Sequence, residues 1–183
     1  RRNARNRIRR MLEGIDTDDV WRVVAVPPLP TVSTYPSWIA EEDVVVLLID
    51  QRLDEQGGDT VDYTGHDILN LVHPRMYDLP VYYLTAVPGS VQQDHPRVRG
   101  IIDRRDLVRN SEQWVKEFIR EGVRYREQVS RRMVRLSQLT DAVVGDTASI
   151  SDREELEALR TEMHSALGGP PDEDLSLARV DLL

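Results

Sequence analysis

Cysteine is absent from the 183 residues, which excludes a disulfide framework and any thiolate metal site. Lysine is nearly absent, because Lys116 stands alone against 23 arginines, a bias that belongs to genome composition before function. No apolar run approaches the roughly 20 residues that span a bilayer, and the start of the chain lacks the apolar segment of a signal peptide. A soluble, cytoplasmic protein without membrane attachment is therefore the expectation. The formal charge is -8, and acids and bases are mostly interspersed. Only the first ten residues are strongly basic, so the charge pattern disfavours nucleic-acid binding.

Against these absences stands one run, Val44-Val45-Val46-Leu47-Leu48-Ile49, closed by Asp50. Six apolar residues in succession, flanked by charge, read as a strand buried on both faces of a parallel sheet. Ligands gather just outside the carboxyl ends of such strands, which makes Asp50 the first candidate functional residue. A P-loop NTPase also ends a strand on an acid, but its Gly-rich loop must finish in Lys and Ser or Thr, and Val115 precedes the one lysine. A haloacid-dehalogenase-like phosphohydrolase requires a second acid two residues on, where this chain has Arg52.

Around that run the punctuation places the other elements. Residues 1–14 predict an amphipathic helix through Ile8, Met11 and Leu12, and residues 21–26 a short strand closed by Pro27-Pro28. A proline-punctuated loop and at most a short helix at residues 37–40 lead into the central strand. Residues 51–63 are polar and contain Gly57-Gly58, an exposed loop unusually long for a strand-to-helix connection. Thr64 is suited to cap a helix whose buried face is Ile68, Leu69, Leu71 and Val72. Strands follow at residues 79–86, ending near Thr85, and 98–102, ending before Asp103-Arg104-Arg105. The alternation predicts an α/β fold with a doubly wound parallel sheet.

The order and spacing of these residues over roughly residues 1–110 resemble the receiver domain of bacterial response regulators. The matching features are Asp50 at the end of the central strand, Gly65-His66-Asp67-Ile68 opening the next helix, the Pro80 to Ala86 strand, and a basic residue, Arg104, after the last strand. The resemblance implies a flavodoxin/CheY-like sheet whose first strand lies upstream of Arg1. It implies that Asp50 is the phosphoacceptor, that Thr85 donates its hydroxyl to a phosphate oxygen, and that Arg104 stands where receivers carry lysine. It further implies Mg2+ held by Asp50 and the backbone carbonyl of Arg52, and phosphate supplied by a histidine kinase or phosphotransfer protein. Three features depart from the family: arginine replaces the lysine, Ile101 replaces the switching aromatic residue, and the loop after Asp50 is longer and carries Asp54, Glu55, Asp59 and Asp62. The alternative reading keeps the fold as a phosphorylation-independent pseudo-receiver, a scaffold or assembly subunit.

Beyond residue 110 a helical pattern runs from Leu107 toward Val144, too long for one small domain at 1.5 Å per residue. Gly145 interrupts it, and Ser151-x-x-Glu154 predicts the capping box of a second helix through Leu167, stopped by Gly168-Gly169-Pro170-Pro171. Residues 111–169 thus form a helical extension, as an antiparallel hairpin or paired with another chain, and residues 170–183 a flexible tail. The extension is expected to carry the signal to a protein output partner through residues 111–183, with homodimerisation as a further expectation.

Overall fold

The computed structural model describes Arg10, Leu12, Leu53 and residues 21–50, 61–76, 78–86 and 98–166. The helix expected over residues 1–14, most of the loop after Asp50, and the tail lie outside the described residues. A 3-10 turn (Val32–Thr34) leads into α1 (Tyr35–Glu41), followed by β1 (Leu47–Asp50), α2 (Gly65–Val72), β2 (Val81–Thr85) and β3 (Gly100–Asp103). The chain continues through α3 (Arg104–Arg109), α4 (Ser111–Val144) and α5 (Ile150–Ala166). It is an α/β fold with a small sheet of three parallel strands in the order β1-β2-β3.

Strand periodicity explains how the sheet is covered. Leu47, Ile49, Val81 and Tyr83 turn to one face, where Ile39 of α1 and Ile68, Leu69 and Val72 of α2 bury them. Tyr82 and Ile102 turn to the other with Leu107 and Val115, flanked by Leu48, Leu84, Trp114 and Phe118. Helices therefore cover both faces, which is why Leu47 to Ile49 are all apolar; the strand expected over residues 44–50 forms only from Leu47, with Val44 to Val46 leading into it, and it lies at one side of the order β1-β2-β3. Each fully buried aliphatic side chain contributes about 1.5–3 kcal/mol of transfer free energy.

The expected strand at residues 21–26 does not form; residues 21–29 are irregular. Their apolar side chains are used against a helix instead of a ladder. The Trp21 indole lies on the α4 backbone at Gly122, so close that an added Cβ would meet its ring carbons at 2.9 Å. Arg126, one turn further along α4, sits 5.9 Å over the same ring. Val23 packs into the cluster under α4.

Local chemistry sets the ends of the helices. At α2, the Asp67 amide donates to Thr64 Oγ1 at 3.4 Å while the Thr64 amide donates to Asp67 Oδ2 at 2.7 Å, a reciprocal capping box. These bonds from Thr64 hold the Asp67 carboxyl below its usual range. The long connection before α2 is fastened at its end, where the Tyr63 hydroxyl donates to the Leu29 carbonyl and pairs with the Tyr35 hydroxyl at 3.3 Å.

The single helix expected from Leu107 to Val144 is broken at Asn110, whose backbone (φ -116°, ψ 36°) leaves the helical region. Asp106 holds the break, because its carboxylate accepts from the Asn110 amide group at 2.7 Å and from the Trp114 indole N–H at 2.8 Å. The first half of α4 belongs to the core through Val115, Phe118 and Ile119. Arg126 then pairs with Asp43, and Arg132 with Asp78, in the loops that precede β1 and β2. At these two ion pairs α4 leaves the amino-terminal edge of the sheet.

Past that edge α4 and α5 form an antiparallel hairpin. Leu139 and Leu156 are its buried pair, and Arg135 grips Glu155 through Nε at 2.9 Å and Nη2 at 2.5 Å. Arg132 also reaches Glu162 at 3.0 Å, so one guanidinium serves both the sheet domain and α5. The predicted box at Ser151-x-x-Glu154 is displaced by two residues: Ser149 and Asp152 cap α5, with Ser149 Oγ donating to Asp152 Oδ2 at 2.6 Å and the Asp152 amide donating back at 3.1 Å. Two signatures overlap there, and the earlier one wins because Ile150 already enters the helix. Gly145 does end α4, yet the left-handed residue of the turn is Asp146, at φ 52°.

Gly122→Ala tests the Trp21 contact. Alanine gains about 1 kcal/mol of helix propensity, but the overlap with the indole and Val45 costs roughly 1–3 kcal/mol. Net destabilisation, with a red shift of tryptophan emission as Trp21 leaves the helix, is the expected result of thermal melts and fluorescence.

The buried tyrosines generate an alkaline prediction. Burial pushes Tyr82 up to about 12, aided by Glu121 and Glu117, and burial likewise pushes Tyr83 up to about 12. Tyr63 is raised as well, by burial and its bond to Tyr35. A phenol whose folded pKa is raised adds stability that is fully present below the unfolded value of about 10 and is lost as pH rises through the folded value. Stability should therefore fall between about pH 10 and 12, in step with tyrosinate absorbance, and Tyr82→Phe should flatten that fall.

Candidate functional site

The three parallel strands end side by side. Asp50 closes β1 opposite Leu84, and Thr85 closes β2 opposite Asp103, which closes β3. The Asp103 side chain accepts from the Arg105 amide at 2.7 Å and so caps α3, which fixes Arg104 as the first residue of that helix. From there the Arg104 guanidinium reaches the Asp50 carboxylate. Neighbouring strands lie about 4.8 Å apart, so β1 and β3 are separated by roughly 9.6 Å, and a long side chain is needed to cross the end of β2.

Thr85 lies between them in sheet order and is buried, at 6% exposure. Asp50 and Arg104 keep 22% and 35% of their side-chain surface, so the pair is partly open to solvent. This is a carboxyl-end edge with a carboxylate, a hydroxyl and a guanidinium on three successive strand ends. It can present a nucleophilic oxygen with a fixed positive charge beside it.

All three side chains expected at the site therefore occupy one edge of the sheet. Arg52, whose carbonyl was expected to ligate Mg2+, lies outside the described residues, as do Asp54, Glu55 and Asp59. Asp62 is exposed, while Leu53 and Tyr63 anchor the two ends of that loop in the core. Among the described residues no group of three or more His, Asp or Glu is placed to hold a metal ion. Ile101, at the position of the family's aromatic switch, is opposite Tyr83 in the sheet and packs beside the α1 and α2 cluster.

The sequence reading missed Asp103, although Asp103-x-x-Asp106 has the spacing of a helix start. It also missed the aromatic group behind the edge. Tyr82 meets Phe118 edge-on with ring centroids at 5.2 Å, and Trp114 stacks on Phe118 at 5.8 Å. That cluster joins the middle strand to the root of α4, and periodicity alone could not bring residues 32 or more positions apart together.

No protein-family model, curated protein or solved structure matches this chain. Among the described residues no helix is long and apolar enough to cross a membrane.

The Asp50–Arg104 contact should be energetically measurable. Exposed ion pairs contribute about 0.2–1 kcal/mol, and the partial burial of this one places it near the upper end. A double-mutant cycle of Asp50→Asn and Arg104→Gln should return a coupling of about 1 kcal/mol, measured by denaturant unfolding.

Proposed function

We propose that the chain is an atypical response-regulator receiver that accepts phosphate on Asp50 and signals to a protein partner through its C-terminal helices. The observation that carries this reading is the Arg104 guanidinium held on the Asp50 carboxylate across the strand that ends in Thr85. The fold assignment that goes with it is a flavodoxin/CheY-like sheet. In that topology strands three, four and five are consecutive parallel neighbours, as β1, β2 and β3 are here. Residues 21–29, in the sequence position of its second strand, form none.

In the proposed reaction an Asp50 carboxylate oxygen attacks the phosphorus of a phosphohistidine or a small acyl phosphate. The bond to the donor breaks, its electron pair leaves with the donor, and an acyl phosphate forms on Asp50. Arg104 faces the added charge with N–H donors, and the Thr85 hydroxyl donates to a phosphoryl oxygen. Asp50 and the Arg52 carbonyl are the groups that the resemblance implies would hold Mg2+, which would supply further charge neutralisation. The donor is a histidine kinase or phosphotransfer protein.

A second reading, a phosphorylation-independent scaffold, is favoured by the same ion pair: Arg104 already neutralises Asp50, and Ile101 offers no aromatic ring to switch. The two readings separate on the full-length protein treated with Mg2+ and either acetyl phosphate or beryllofluoride. With acetyl phosphate a receiver gains a phosphoryl adduct, with either reagent its melting temperature rises, and both effects vanish in Asp50→Ala. An unchanged mass and melting curve would leave the scaffold as the function.

A further inference from the structure

Helix α3 joins the site to the root of α4, and it is lightly held. Of its six residues only Leu107 is buried. Helices are seated mainly by tertiary packing of an apolar face, so with one such contact the orientation of α3 falls to the polar ties at its ends. At one end Arg104 holds the Asp50 carboxylate, and toward the other Asp106 accepts from the Trp114 indole at 2.8 Å and from the Asn110 amide group at 2.7 Å. Two residues of separation place Arg104 and Asp106 about 200° apart around the helix, on opposite flanks of it. A roll about Leu107 that lifts one side chain off its partner therefore carries the other with it.

Trp114 is placed to register such a roll. It stacks on Phe118 at 5.8 Å and meets Tyr82 edge-on at 6.3 Å, so its ring touches both α4 and the strand that ends in Thr85. Its indole N–H is given to Asp106, eight residues back across the break at Asn110. A half-buried indole keeps its donor satisfied only while that carboxylate stays within reach. We infer that α3 is a coupling element: Asp106 is a positioning residue that sets Arg104 on Asp50, and the state of the Asp50–Arg104 pair is felt at the Trp114 indole in the root of α4. The two directions are one statement, because a coupling free energy is reciprocal. The inference concerns the ion pair itself, so it holds for a receiver and for a scaffold alike, and its test uses no phosphate donor.

The indole N–H signals in proton–nitrogen NMR spectra of the full chain test it, with Trp114→Phe assigning the Trp114 signal. Asp50→Ala and Arg104→Gln break the same ion pair while removing charges of opposite sign. Both should shift the Trp114 signal in the same direction and leave that of Trp38, on the other face of the sheet, in place. Both side chains are partly exposed, so both variants should fold. Unfolding reads the converse: the Asp50–Arg104 coupling, about fivefold in the unfolding equilibrium constant, should fall below about twofold in Asp106→Ala and return in Asp106→Asn, whose amide still accepts from the indole and donates to a turned-over Asn110. A merely structural role for Asp106 would lower stability and leave that coupling unchanged. Where Asp106→Ala fails to fold, the indole signals decide. A Trp114 signal that stays in place, that shifts in opposite directions with the two charges, or that moves together with Trp38 would overturn the inference, as would a coupling unchanged in Asp106→Ala.

Discussion

The burial of the sheet's second face under α4 is the constraint on which the remaining structure depends. Tyr82 and Ile102 would face water without Val115, Trp114 and Phe118, and a three-stranded parallel sheet has no interior of its own. To cover that face the chain must turn sharply after β3 and run back along the strands. The turn is made by α3, with Asp103 capping its start and Asp106 binding Asn110 and Trp114 at its end. Arg104 is thereby placed at the carboxyl end of the sheet, where Asp50 is within its reach. The site and the core are consequences of one chain reversal.

An arginine in that place has its own physics. A guanidinium is planar, weakly hydrated and charged at any accessible pH, and its donors form a fixed fork, whereas an ammonium is a compact and strongly hydrated point charge. Arg104 therefore neutralises Asp50 while retaining N–H groups that point elsewhere. The cap at Asp103 restrains the residue that carries it, which limits the entropy lost when the fork engages a carboxylate. Thr85 is buried and paired with Asp103 of β3, so its position is set by the ladder rather than by a loop.

The parts of this arrangement that were legible in the sequence are those with a short-range cause. The apolar run before Asp50, the Thr64 cap and the glycine after Val144 each act within a few residues, and the corresponding elements are present. Residues 21–26 have the composition of a strand, but their fate was decided by Gly122, about a hundred positions away, which opens a notch in α4 for Trp21. The break at Asn110 was equally hidden, because the i, i+4 contact of Asp106 with Asn110 fits a continuous helix as well as a kinked one; only the bond to Trp114, about 12 Å of rise away in a straight helix, requires the kink. Arg104 could be placed after the last strand from sequence, but its partner depended on sheet order, which no local signal specifies.

The two ion pairs at the amino-terminal edge of the sheet mark where α4 passes from the domain into the hairpin. From its start at Ser111 to Arg132 the helix measures about 32 Å, and from Arg132 to its end at Val144 about 18 Å, at 1.5 Å per residue. The longer length is seated on the sheet through Val115, Phe118 and Ile119, so the direction of the hairpin is set by side chains that belong to the core.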